Sequence, residues 1–163
     1  MPQFVPHLRR NYPSVEIELK EAVADRPMAD LSAGRLDAVI AALPLDLEGV
    51  QTRPLFTDRF FMAVAENGET VLMSPLTEHE VNVDRLLLPQ EGHCLRDQAL
   101  AVCSANKRSL VNFGATSMAT LLQMVSHDMG MTLIPEMAFA TETSRNAIRI
   151  VSFAEPQPSR EIG

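Results

Sequence analysis

The sequence has few cysteines, no block of positive charge and no long apolar run. Each shortage removes a class of function. Two cysteines occur in 163 residues, with no CxxC pair, and His7, His79, His93 and His127 are scattered without ligand spacing. A structural zinc site is therefore not expected. No Lys/Arg run exceeds two residues and the net charge is −7. Such a chain repels a phosphate backbone, so by itself it is not expected to bind nucleic acid. No apolar stretch approaches the roughly 20 residues that span a bilayer, and "MPQFVPHLRR" lacks the apolar core of a signal peptide. No membrane association is expected, and the expected compartment is the cytoplasm. There, two cysteines are more often reduced, catalytic or redox-sensing than a permanent bridge. Internal repeats and low-complexity segments are also missing.

What is present is an ordinary globular composition, 46% hydrophobic and 21% charged, with the length of one domain or two small ones. "FVPHLRR" (4–10) reads as a helix end, and "SVEIELKEA" (14–22) alternates Val15, Ile17 and Leu19 as a strand does. Met28 and Leu31 follow at helical spacing and Gly34 sits at a helix stop. "LDAVIAAL" (36–43) reads as a strand covered on both faces. Residues 14–43 thus read as a strand–helix–strand unit with a parallel sheet. "TRPLFTDRFFMAV" can carry the chain from one sheet to another. "RLLLP" (85–89), "LVNFGAT" (110–116), "MTLIP" (131–135) and "IRIVSF" (148–153) read as further strands, with a helix over 94–105. "TSMATLLQMVSHDMG" is the clearest helix. Thr116 or Ser117 caps it, Met118, Leu121, Leu122 and Val125 line one face, and Gly130 ends it. Alternating β and α elements place the chain in the α/β class. It begins inside a helix and ends at "SREIG" where a strand starts, which reads as a fragment or truncated product.

The stretch "EGHCLRDQALAVC" (91–103) holds both cysteines. On a helix, Cys94 and Cys103 lie about 13.5 Å apart along the axis and on opposite faces. A disulfide needs Cα atoms within about 7 Å, so oxidation has to unwind the helix. Closing so short a loop is worth roughly 2.7 kcal/mol by the chain-entropy relation, against lost helix packing of similar size. A near balance suits a reversible switch. Cys94 lies near a helix N-terminus, where the dipole favours a thiolate, with His93 adjacent and Arg96 two residues on. Cys103 sits in apolar "ALAVC", which keeps its proton. Cys94 would then be oxidised first and Cys103 would resolve it. The plain alternative, two buried core cysteines, stays open. Asp97 reads as pairing with a base on the helix face, His127 and Asp128 as solvated, and the methionines at 118, 124, 129, 131 and 137 as core filler.

"GHCLRDQALAVC" resembles the redox segment of the OxyR family, the peroxide sensors among the LysR-type transcriptional regulators. "FGATSMATLLQMVSHDMGMTLIP" (113–135) is similar to the segment after those cysteines. "LSAGRLDAVIAALP" (31–44) resembles an element of LysR-type effector domains generally. The resemblance implies two Rossmann-like subdomains of the type 2 periplasmic-binding-protein kind. Residues 1–57 would be an incomplete first subdomain, 58–157 a second with the redox segment, and 158–163 the start of the crossover back. It implies Cys94 as the peroxide-reactive thiol and Cys103 as the resolving one. His93, Arg96 and Asp97 would support the thiolate, and Thr116 and Ser117 would face the effector cleft. It further implies hydrogen peroxide as the signal, a homodimer through this domain, no cofactor, no enzymatic turnover, and DNA contact only through a helix-turn-helix not in this sequence. The family's opening strand, its threonine-bearing turn and its C-terminal strand and helix have no counterpart here, and Ala24 stands where a second peroxide-contacting threonine would. Poor stability alone, or pairing of sheet edges with another copy, is the corresponding expectation. Two other classes remain: a co-inducer-binding effector domain with incidental cysteines, and a thiol peroxidase.

Overall fold

The structure, a computed structural model, describes residues 5–22, 25–45, 49–90, 94–103, 115, 117–143 and 147–163. Its organising element is β2 (Phe56–Ala65), a ten-residue strand rich in aromatic and branched side chains. Its first half pairs antiparallel with β5 (Ser159–Ile162), from Phe56↔Ile162 to Arg59↔Ser159. β5 in turn carries β1 (Ala42–Leu43). Its second half lies between β3 (Thr132–Pro135) and β4 (Ile148–Ser152), again antiparallel. The strand order is β1-β5-β2-β3, with β4 also on β2. One strand therefore belongs to two sheets, as the "TRPLFTDRFFMAV" run suggests.

The two-residue period of β2 sends alternate side chains into separate cores. Phe60, Met62 and Val64 enter one core with Leu86, Leu88, Leu133, Val151 and Phe153. Ala63 enters the other with Leu87, Leu121, Leu122, Val125 and Ile134, and Phe61 packs against it. Leu86, Leu87 and Leu88 alternate between the same two cores. This explains why "RLLLP" is apolar on both faces; among the described residues it pairs through the parallel bridges Leu86↔Met131 and Pro89↔Ala115.

Two helices cover the sheet. α3 (Cys94–Val102) packs Leu95, Ala99 and Leu100 into the first core. α4 (Met118–Ser126) buries Leu121, Leu122 and Val125 completely in the second, each worth roughly 1.5–3 kcal/mol of burial. Ser117 is its N-cap, its hydroxyl accepting from the Thr120 N–H at 3.2 Å. Among the described residues there are three shorter α-helices. They are α1 (Val5–Asn11), α2 (Asp25–Ser32), which ends two residues before Gly34 at φ +68°, and α5 (Phe139–Glu142).

Four expectations need correction. Residues 14–22 are not a strand. Val15 and Leu19 are exposed, and among the described residues no strand lies alongside to take their backbone hydrogen bonds. The run 36–43 forms only the two-residue β1, antiparallel to β5, so the parallel strand–helix–strand unit is not made. Gly130 does not end α4. The helix stops at Ser126, His127 is the C-cap and Asp128 takes the left-handed conformation at φ 55°. Gly130 serves close approach instead, since a Cβ there would stand 2.4 Å from the Arg85 carbonyl oxygen. Finally, Met129 and Met137 are 48% and 41% exposed, whereas Met131 is core. The strand expected over 110–116 lies outside the described residues except for Ala115.

Candidate functional site

α3 has a cysteine at each end. Cys94 is its first residue. Cys103 follows its last turn, with its N–H donating to the Ala99 carbonyl at 3.0 Å. The nine-residue rise between them is about 13.5 Å while the helix stands, the separation expected from the sequence. Cys103 is a free thiol, 4% exposed, set in the first core with Leu76, Val81, Leu95 and Leu100. Burial, and then the Glu78 carboxylate, push its pKa up to about 12. It keeps its proton in the helical state, as its apolar sequence context indicates.

Arg96 is half-buried, and its Nη1 donates to the Pro89 carbonyl at 3.0 Å. That bond fixes the first turn of α3 to the buried "RLLLP" segment. Asp97 is exposed on the outer face of α3. Ser117 is exposed and occupied in capping α4. His93 and Thr116 lie outside the described residues. Among the described residues, no three His, Cys, Asp or Glu side chains cluster as a metal site would require.

Sequence reading missed the polar cluster that binds α3 to the sheet. Asp58 on β2 is buried and pairs with Arg160 on β5, Nη2 to Oδ2 at 2.9 Å and Nε to Oδ2 at 3.0 Å. The second Asp58 oxygen accepts from the Met137 N–H at 3.0 Å. Nη1 of Arg160 donates to Oε1 of Gln98 on α3 at 3.1 Å, and its guanidinium lies 5.5 Å from the Phe60 ring centroid. A charged pair this deep is retained only with its hydrogen bonds made, and here they are. The only hint in the sequence is an aspartate near the start of a strand that turns apolar after Arg59.

Asp128 is engaged rather than solvated, whereas His127 is exposed, as expected. Asp128 pairs with Arg85 at 3.0 Å and accepts from the Glu69 N–H at 3.0 Å. His127 Nδ1 lies 2.7 Å from the Gln123 carbonyl oxygen. A cavity of about 340 Å³ lies apart from α3, lined by Lys20, Glu21, Arg26, Pro27, Asp30 and Leu36 among others.

The chain is 36% identical over 169 residues to the DNA-binding transcriptional dual regulator OxyR of Escherichia coli, covering 100% of this chain and 54% of that protein. It spans about half the length of the curated relatives it matches. Among solved structures, the reduced OxyR regulatory domain of Pseudomonas aeruginosa superposes with a TM-score of 0.87 at 28% identity. The match covers 99% of this chain and 78% of that one. A Corynebacterium glutamicum OxyR cysteine mutant with hydrogen peroxide bound gives 0.89 at 26%, over 99% of this chain and 52% of that one. The α/β architecture is thus the periplasmic-binding-protein-like fold of these regulatory domains. The LysR substrate-binding domain family matches residues 1–163, and the chain belongs to that family.

Proposed function

We propose that the chain is the hydrogen peroxide-sensing regulatory domain of a LysR-type transcriptional regulator, switched by a reversible disulfide between Cys94 and Cys103. The observation that carries this reading is the placement of the two cysteines at opposite ends of one helix, the second sealed in the core. While α3 stands, neither thiol reaches the other. Peroxide would oxidise Cys94 to a sulfenic acid, its O–O bond breaking and water leaving. α3 then unwinds and the Cys103 thiol displaces the second water to close the disulfide. Cys103 cannot react first, because burial holds its proton. In this reading His93, Arg96 and Asp97 support the Cys94 thiolate, while Thr116 and Ser117 face the cleft. Residues 1–57 and 58–157 form the two subdomains and 158–163 cross back. The signal passes through a homodimer interface to a separate DNA-binding helix-turn-helix in the cytoplasm. The domain turns nothing over and needs no cofactor.

Free thiols counted by mass spectrometry before and after a low dose of hydrogen peroxide test the proposal. Loss of both thiols, and a sulfenic acid trapped at Cys94 in Cys103→Ser, are expected. Retention of both thiols overturns it. Repeated peroxide consumption with an added thiol reductant would instead indicate a thiol peroxidase.

A second reading, co-inducer binding, draws on the cavity beside α2, whose lining carries both signs of charge, Lys20 and Arg26 with Glu21 and Asp30. Ligand binding that persists in a Cys94→Ser, Cys103→Ser double variant would favour it.

A further inference from the structure

The polar cluster under α3 has one component open to solvent. Met137 follows β3 in a short 3₁₀ turn, Glu136–Ala138, and is 41% exposed. Its N–H is held by Asp58, and its Sδ lies 3.6 Å from Nη2 of Arg160. The same guanidinium holds Gln98 of α3 through Nη1. Met73 and Met129 are more exposed, at 75% and 48%. Among the described residues their sulfurs have no polar partner. Met137 thus combines oxidant access with a direct link to the redox helix.

We propose that Met137 is a second oxidant-responsive site, whose conversion to the sulfoxide loosens α3 through Arg160. The proposal rests on the reading of α3 as the element that moves. In the step, the thioether sulfur gives two electrons to hydrogen peroxide and takes one of its oxygens. The O–O bond breaks, and the departing hydroxide takes the proton from the transferred oxygen and leaves as water. Sulfur and Nη2 are already in contact, so no oxygen fits between them without movement. The sulfoxide oxygen accepts far more strongly than a thioether and draws the guanidinium toward itself. Nε and Nη2 are anchored on the buried Asp58 carboxylate, so the bond that yields is Nη1 to Gln98. A methionine sulfoxide reductase would restore it.

The test uses the 163-residue chain carrying Cys94→Ser and Cys103→Ala, which removes the disulfide route. Hydrogen peroxide is added, sulfoxides are located by peptide mass mapping, and amide exchange is followed over α3. Exchange there should quicken by about tenfold or more, the loss of one charge-assisted hydrogen bond at a part-buried site. Met137→Leu in the same background, where only the other methionines oxidise, should show no change. Met137→Gln, which carries a permanent acceptor, should show fast exchange without oxidant. Equal exchange after peroxide in the chain that keeps Met137 and in the Met137→Leu variant overturns the proposal, as does a Met137 that stays reduced while Met73 and Met129 oxidise. Because both cysteines are gone, failure here is distinct from failure of the disulfide reading, which appears in the thiol count.

Discussion

Replacing Leu100 with alanine separates the packing of α3 from the stability of the domain as a whole. Leu100 is 8% exposed and belongs to the first core only through α3. Truncating a buried leucine costs about 2–5 kcal/mol. The low end of that range, about 2–3 kcal/mol, suits a site at the core margin where neighbours can relax. In the proposed disulfide form α3 is unwound and this packing is already lost, so the cost falls on the reduced state alone. The disulfide becomes easier to form. At 30 mV per 1.4 kcal/mol for a two-electron couple, the midpoint potential of Leu100→Ala should lie about 40–65 mV more negative than wild type. Equilibration in dithiothreitol or glutathione buffers, with the disulfide fraction read by mass spectrometry, measures it. Leu122→Ala is the control. Leu122 is fully buried in the second core on α4, outside the helix that the proposed switch unwinds. It should lower Tm at least as much and leave the potential where it was. If Leu100→Ala lowers Tm while its potential stays at the wild-type value, α3 packing is not part of the redox equilibrium, and the unwinding mechanism fails with it.

Three further expectations follow from the geometry. Asp58→Ala strands the Arg160 guanidinium without its carboxylate and should destabilise the fold by about 3–5 kcal/mol in urea melts; a loss below 1 kcal/mol would mean the pair is solvated. Gly130→Ala drives a methyl into the Arg85 carbonyl and should cost about 2–4 kcal/mol. Gly34→Ala, at φ +68° in open space, should cost only about 1–2 kcal/mol, so the reverse order would contradict the assigned roles. With the Cys103 pKa at about 12, roughly one thiol in ten thousand is ionised at pH 8. Its alkylation should therefore be slow when folded and follow opening of the core. The folded state holds this proton above the ordinary thiol value and the unfolded chain releases it. Stability is thus complete below about pH 8.5, falls as pH rises toward 12, and should fall less steeply in Cys103→Ala.

How far the sequence could be read depended on whether a signal was local. α4 was legible because its cap and its apolar face lie close together in the sequence, from Ser117 to Val125, although Gly130 misplaced its end. α3 was legible as a helix with cysteines at its ends. Residues 14–22 misled because alternation reports a two-faced chain, whereas a strand also needs a partner. Residues 36–43 misled for a related reason: the crossover rule assumes that both strands join one sheet. The Asp58–Arg160–Gln98 cluster was illegible. Its members are 102 and 62 positions apart, and nothing in any of the three marks it for the others.

The position of β2 has a consequence for how the domain comes into being. Among the described residues, every strand that pairs with β2 comes from beyond residue 131, and the Phe56↔Ile162 pair closes a loop of more than a hundred residues. Such pairings pay their chain-closure entropy before any contact repays it, which makes folding slow. On the ribosome, both cysteines are synthesised before the last of these strands exists. The nascent chain therefore passes through a period in which Cys103 has no core around it and keeps an ordinary thiol pKa. During synthesis, the burial that raises the Cys103 pKa in the finished domain is not yet in place.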